Sequence, residues 1–163
     1  MNKVQEFYKT GKTVEDQFAY LLMKTYGGIA RHSSRHQDMF EHIDIIWSID
    51  DKTYTFDVKG LKKHNQTDTY TDDSIHWVEL QNVRGNLGWV YGKADYIVFE
   101  TNNDWLFVKR KALLDLLEEK VKEKTITNSK ELYTYYQRYN RQDIVVKVLT
   151  SDLRKIASSI LNK

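Results

Sequence analysis

Asp44, Asp57 and Lys59 carry the spacing in this chain from which metal-assisted chemistry can be built. Residues 53–59 read as a strand. Side chains alternate across a sheet, so Tyr54, Phe56 and Val58 share one face while Thr55, Asp57 and Lys59 share the other. A carboxylate and an ammonium therefore stand side by side. Asp44 opens the preceding strand-like run, 43–49, among Ile43, Ile45, Ile46 and Trp47, where an ionised carboxylate is costly unless it meets a cation. Asp50 and Asp51 between the two runs have the turn chemistry of a hairpin, and folding that hairpin brings Asp44 near Asp57. Two carboxylates held together repel, which raises one pKa unless a divalent ion neutralises both. The chain has no cysteine, so a metal is left with oxygen and imidazole ligands. Mg²⁺ is the natural ion, held by one or two carboxylates, waters and substrate oxygens. Lys59 then stands where it could orient or help deprotonate a water, or offset charge developing on a substrate.

The elements that must position these side chains follow from periodicity and turn chemistry. Val14–Tyr26 is predicted as an amphipathic helix, with Thr13 as N-cap and Gly27 and Gly28 ending it. After a polar stretch, 64–74, expected to be a mobile loop, a third strand runs over 76–81. Gly85, Gly88 and Gly92 punctuate an aromatic segment, and strands are predicted at 96–101 and 105–109 around an Asn102-Asn103-Asp104 turn. Leu113, Leu114, Leu116, Leu117 and Val121 mark the buried side of a helix over 111–124. Ser129 is expected to cap another helix reaching about Tyr139, followed by a strand at 144–149 and a helix at about 152–161. The 163 residues suit a single domain, 1–163, which buries roughly 70% of its unfolded surface. The expected fold class is α/β, a mixed central β-sheet flanked by helices. No apolar run approaches the ~18 residues of a membrane span, and Met1 to Lys12 has no signal-peptide core, so a cytoplasmic protein with no membrane partner is expected.

Beyond the central trio the residues have both functional and ordinary readings. His32 and His36 have i, i+4 spacing, but they follow the Gly27-Gly28 stop and no thiolate completes a zinc set. His42, two before Asp44 on the same strand face, could lie near the metal site, although a surface histidine is the plainer reading. The net charge of +2 does not demand a nucleic-acid partner. Local clusters around Lys59, Lys62 and Lys63, and at Lys109, Arg110 and Lys111, could still make a positive surface. The Gly85 to Gly92 segment could approach DNA closely, with Trp89 or Tyr91 stacking on bases, or could simply pack the core. Tyr133, Tyr135, Tyr136 and Tyr139 read mostly as packing residues, which leaves Arg138 and Arg141 as candidate phosphate contacts.

Asp44, twelve intervening residues and then Asp57-Val58-Lys59 resemble the PD-(D/E)xK nuclease superfamily. Upstream, Glu15 is similar to the acid those enzymes carry on the helix before the sheet; downstream, Gln81 in Glu79-Leu80-Gln81 is similar to a polar residue on their third core strand. The likeness spans about residues 13–82. Phe40-Glu41-His42-Ile43-Asp44, Phe56-Asp57-Val58-Lys59-Gly60 and the segment from Gly85 to Tyr96 resemble small phage-encoded members. One departure is that Ile43 occupies the place of the proline before the first aspartate, and the chain contains no proline. The resemblance implies a restriction-endonuclease-like fold and a Mg²⁺-dependent DNA nuclease, with Mn²⁺ able to substitute. It implies a metal held by Asp44, Asp57 and the Val58 carbonyl, Glu15 supporting it or a second ion, Lys59 serving the water, and Gln81 completing the site. Products would carry 5′-phosphate and 3′-hydroxyl ends. An endonuclease is the main expectation, and a structure-specific one stays open, including a junction resolvase, which needs a homodimer. The reading from another class is a non-catalytic DNA-binding or protein-interaction module that kept the fold.

Overall fold

A computed structural model describes residues 13–62, 69, 71–128 and 130–163. Helix α1, Val14–Tyr26, starts where the Thr13 hydroxyl accepts from the Asp16 amide, and ends at Gly27, which turns with φ 80°. Strands β1 (Ile29–His32), β2 (Ile45–Ile49) and β3 (Lys52–Lys59) follow, with a short π-helical turn, Gln37–Glu41, between β1 and β2. Asp50 and Asp51 both take positive φ, the left-handed pair that a tight hairpin between β2 and β3 requires. Next come β4 (Ile75–Gln81), a 3₁₀ turn at Trp89–Tyr91, β5 (Tyr96–Glu100), β6 (Asp104–Lys109) and α2 (Arg110–Lys120). The chain continues through β7 (Lys122–Ile126), β8 (Thr134–Tyr136), β9 (Ile144–Leu149), α3 (Thr150–Ile156) and β10 (Ser159–Asn162).

The strands form two sheets, one in the order β1-β2-β3-β5-β6-β10 and one in the order β4-β9-β8-β7. In the larger sheet β3 and β5 run parallel and the other pairs antiparallel, so an α/β fold with a mixed sheet is observed. On one face, Ile45, Phe56, Val58, Val98, Trp105 and Phe107 pack against Phe18 and Leu22 of α1. On the other, Ile97, Phe99, Leu106 and Val108 pack against Val78, Val146 and Val148 of the smaller sheet and Leu113, Leu116 and Leu117 of α2. Among the described residues, no helix is long and apolar enough to cross a membrane.

Several expectations are corrected here. The helix expected over 111–124 stops at Lys120, because the chain turns extended at Val121 and pairs onward as β7. In place of a helix reaching Tyr139 the structure has β8, entered through Tyr133 at φ 50° and held beside β9. Ser129, its expected cap, lies outside the described residues, as do Lys63 and residues 64–68 and 70 of the expected loop. The C-terminal helix ends at Ile156, since Ser159–Asn162 instead pairs with the edge offered by β6. One central sheet flanked by helices is thus incomplete: much of one face is covered by a second sheet.

Candidate active site

The β2–β3 register places Ile45 opposite Phe56, so Asp44, one residue ahead of β2, falls opposite Asp57. Two hydrogen bonds hold it there. The Asp44 amide donates to the Phe56 carbonyl at 2.8 Å, and the Val58 amide donates to Asp44 Oδ2 at 2.7 Å. Asp57 shares the sheet face with Ile97, its partner on β5, and the smaller sheet and α2 close over that face. The carboxylate is consequently 1% exposed. Lys59, two residues on, turns its ammonium back to Asp57 Oδ1 at 2.7 Å and lies over the Trp89 ring, 4.4 Å from its centroid.

Burial pushes the Asp44 carboxyl up from 3.8 to about 7, and the neighbouring Asp57 adds to the rise, while the Val58 amide and Lys59 oppose it. Burial also raises Asp57, against the pull of Lys59. Asp44 lies near enough to act on the Asp57 carboxyl, and Asp57 Oδ2 is buried with no well-formed hydrogen-bond partner among the described residues. An orphaned buried carboxylate oxygen beside a second carboxylate is the chemistry a hard cation satisfies. Among the described residues, no group of three or more His, Cys, Asp or Glu side chains is gathered to hold a metal. A two-carboxylate set still suits Mg²⁺, which usually keeps several waters and takes substrate oxygens as its remaining ligands.

Glu15 is half-buried in the first turn of α1, near enough to Asp44 for its charge to help raise the Asp44 pKa. This proximity depends on Gly60: a Cβ there would stand 2.8 Å from Val14, so the bare backbone lets the start of α1 approach the end of β3. Gln81 is not brought to the carboxylates through the central sheet. It lies on β4 of the smaller sheet, beyond an irregularity between Glu79 and Gln81, and its amide donates to the Gln142 carbonyl at 2.6 Å.

Three residues join the site with little warning from the sequence. Arg110 sits next to two exposed lysines, Lys109 and Lys111, but turns inward to donate to the carbonyls of Trp89, Val90 and Ala94 at 3.0, 2.6 and 3.2 Å. Burial lowers its pKa and the Asp57 charge raises it, so it is a second cation close to the carboxylates. His42, read either as a neighbour of the metal site or, more plainly, as a surface histidine, is half-buried in a left-handed turn, its pKa lowered by burial and then by Lys59, with Glu79 and Arg110 also acting on it. Gly92 makes room for that turn, since a Cβ there would meet the Glu41 carbonyl oxygen and His42 Cβ, each at 2.8 Å. Glu79 lines a cleft of about 180 Å³ together with Lys59, Gly60, Lys62, His76, Trp77 and Trp89.

Of the candidate nucleic-acid contacts, Lys62 is exposed at the mouth of that cleft and Tyr91 is 47% exposed. Trp89 is 9% exposed and packs on Phe99, so it walls the site beneath Lys59. Arg141 is exposed, while Arg138 is paired with Asp143 at 2.7 Å. The histidines of the zinc reading point to other partners: His32 Nε2 lies 2.7 Å from Asp16 Oδ1, and the His36 ring packs on Phe40. Compared with known proteins, the chain matches no family model, no curated protein and no solved structure.

Proposed function

We propose that this chain is a divalent-metal-dependent nuclease of the PD-(D/E)xK type, with a restriction-endonuclease-like fold, that hydrolyses DNA phosphodiester bonds. The observation that carries the reading is the juxtaposition of a buried Asp57 on β3 with a half-buried Asp44 at the head of β2, with Lys59 bonded to Asp57 and one Asp57 oxygen buried without a well-formed hydrogen bond. Lys59 and Arg110 offset part of the cost of setting two acids together, and both aspartates still have raised pKa values, which a divalent cation would relieve and a non-catalytic module would have to bear.

Asp44 and Asp57 would hold Mg²⁺ or Mn²⁺, joined by the Val58 carbonyl and supported by Glu15. When bound, the ion supplies Lewis-acid polarisation of the phosphoryl group and neutralises charge that grows in the transition state. Asp57 positions Lys59 through their 2.7 Å contact, and the Trp89 face beneath the ammonium limits where it can swing. Lys59 then orients the attacking water and offsets charge on the phosphate. Arg110 braces the Trp89–Ala94 segment that forms this wall.

Supercoiled plasmid, linear duplex, single strands and a four-way junction, each incubated with Mg²⁺ or with EDTA, test the proposal. Cleavage of at least one substrate in Mg²⁺ alone, lost in Asp57→Asn, is expected. Absence of cleavage of all four, or cleavage that Asp57→Asn leaves intact, would overturn it.

A further inference from the structure

From Gln81 to Lys93, and again from Leu132 to Gln142, the chain carries no aspartate or glutamate. The fold brings these two segments together where the loop after β4 meets the tip of the β8–β9 hairpin. The Gln81 side-chain amide donates to the Gln142 carbonyl at 2.6 Å, and Gly85 fits against Gln142 because a Cβ there would collide with the Gln142 side-chain oxygen. Each segment is also fixed locally. Asn82 Oδ1 accepts from the amides of Arg84 and Asn86, each at 3.0 Å, and the Asn82 carbonyl accepts from the Gly85 amide. At the hairpin tip the Arg141 amide donates to the Arg138 carbonyl at 3.1 Å, with Asn140 in the left-handed region at φ 57°.

What the two segments display is cationic and aromatic. Arg84 and Arg141 are exposed and make no ion pair among the described residues, whereas Arg138 is taken by the buried Asp143. Tyr139, between the two arginines of the tip, is 84% exposed, and Val83 and Leu87 are exposed on the neighbouring loop. Two unopposed guanidiniums attract a polyanion, and an open ring beside them is a platform on which a base can stack. The loop leads through Gly88 to Trp89, whose ring carries Lys59, which ties this surface to the candidate active site.

We propose that the loop 82–87 and the tip 138–141 hold one unpaired DNA strand running on from the cut site, with phosphates on Arg84 and Arg141 and a base stacked on Tyr139. The proposal rests on the nuclease reading and names the form of its substrate, DNA with a single-stranded segment. The ring selects an unpaired strand, because bases inside a duplex already stack on one another and turn no face outward. Stacking on a single ring tolerates any base, so the preference is for strand form and not for sequence.

Binding is measured on the full chain by fluorescence anisotropy in EDTA, where the nuclease reading allows no cleavage, with a labelled oligothymidylate of about 20 nucleotides and a blunt duplex of the same length. Wild type should favour the single strand. Tyr139→Ala should weaken single-strand binding at least about fivefold and move duplex binding less than about twofold, while Tyr139→Phe, which keeps the ring, stays within about twofold of wild type on both. Joint replacement Arg84→Ala and Arg141→Ala should lower the slope of log affinity against log salt by roughly 1.4 on the single strand, two phosphate contacts at about 0.7 each, and Tyr139→Ala should leave that slope unchanged. Wild-type binding to the duplex that equals or exceeds binding to the single strand overturns the proposal whether or not any variant folds. So does a folded Tyr139→Ala that binds the single strand like wild type, or a folded double variant with the wild-type slope. The two readings fail separately. Binding indifferent to Tyr139, Arg84 and Arg141 beside cleavage that depends on Asp57 removes this surface and leaves the nuclease. Single-strand binding that depends on Tyr139 in a protein that cuts nothing with Mg²⁺ removes the nuclease and leaves a strand-binding surface.

Discussion

Replacing Asp44 by asparagine should stabilise the metal-free protein at pH 8 clearly more than at pH 5. The Asp44 pKa is raised from 3.8 to about 7. The folded state thus holds a proton that the unfolded state has lost between those values. Stability from this group is fully present below pH 3.8 and is lost as pH rises through about 7. At about 1.4 kcal/mol per pH unit, the part of the interval between pH 5 and about 7 corresponds to roughly 3 kcal/mol, and water reaching a partly exposed carboxyl reduces the expectation to ~1–3 kcal/mol. Wild-type stability alone would hide the effect. His76, lowered to about 4 from 6.5, has the opposite sign, because its stability is present above pH 6.5 and lost as pH falls through about 4. The two slopes nearly cancel across the acidic range, but the difference between wild type and Asp44→Asn removes the His76 contribution. Asparagine keeps an oxygen to accept from the Val58 amide, so the fold should tolerate it. Thermal unfolding in EDTA, followed by circular dichroism, should show the variant gaining about 2–12 °C over wild type between pH 5 and pH 8. An equal difference at both pH values, or a variant that loses ground at pH 8, would refute the reasoning about the carboxylate pair.

At pH 8, Mg²⁺ or Mn²⁺ should raise the wild-type melting temperature by mass action and leave Asp44→Asn almost unmoved, which calorimetric titration can check directly. Asp57→Asn should stay folded by circular dichroism while plasmid cleavage disappears; a variant that cuts at the wild-type rate would show that the carboxylate is structural. Lys59→Ala should slow cleavage by ~10²- to 10⁴-fold at saturating protein while DNA binding in Ca²⁺ persists. If near-normal rates return at saturation with a shallower salt dependence, the lysine is only a phosphate contact. Arg110→Ala strands the carbonyls of Trp89, Val90 and Ala94 and should cost at least about 2 kcal/mol in urea unfolding, with Arg110→Lys recovering little because one ammonium cannot reproduce the planar fork.

What could be read from the sequence was local. The Thr13 cap, the Gly27 stop and the Asp50-Asp51 turn each act within a few residues, and α1 and the β2–β3 hairpin follow from them. That hairpin also sets the register that puts Asp44 across from Asp57. The elements that misled are those decided by distant partners. Tyr133, Tyr136 and Tyr139 have spacing compatible with a helix, but Tyr136 pairs with Val145 of β9, and the Tyr133 hydroxyl donates to Asp152 at 2.5 Å. Ile160 and Leu161 look like the end of a helix, yet an open edge on β6 makes pairing the better use of their backbone.

The same division separates the parts of the candidate site. Spacing along two strands is enough to place two carboxylates and a lysine together, and it cannot say how dry their surroundings are. Dryness comes from the smaller sheet and α2, whose Val78, Val146, Val148 and Leu113 cover the sheet face that carries Asp57. In an open strand face Asp57 and Lys59 would be an ordinary solvated pair of small energetic consequence. Under that cover Asp57 is 1% exposed, and burial becomes the leading influence on both aspartates. Arg110 enters by the same route, since its guanidinium is drawn inward by carbonyls of a segment sixteen to twenty-one residues earlier. A sequence motif for this kind of site therefore names the charged groups, and the strands and helix that cover them supply the low dielectric in which those charges act strongly on one another.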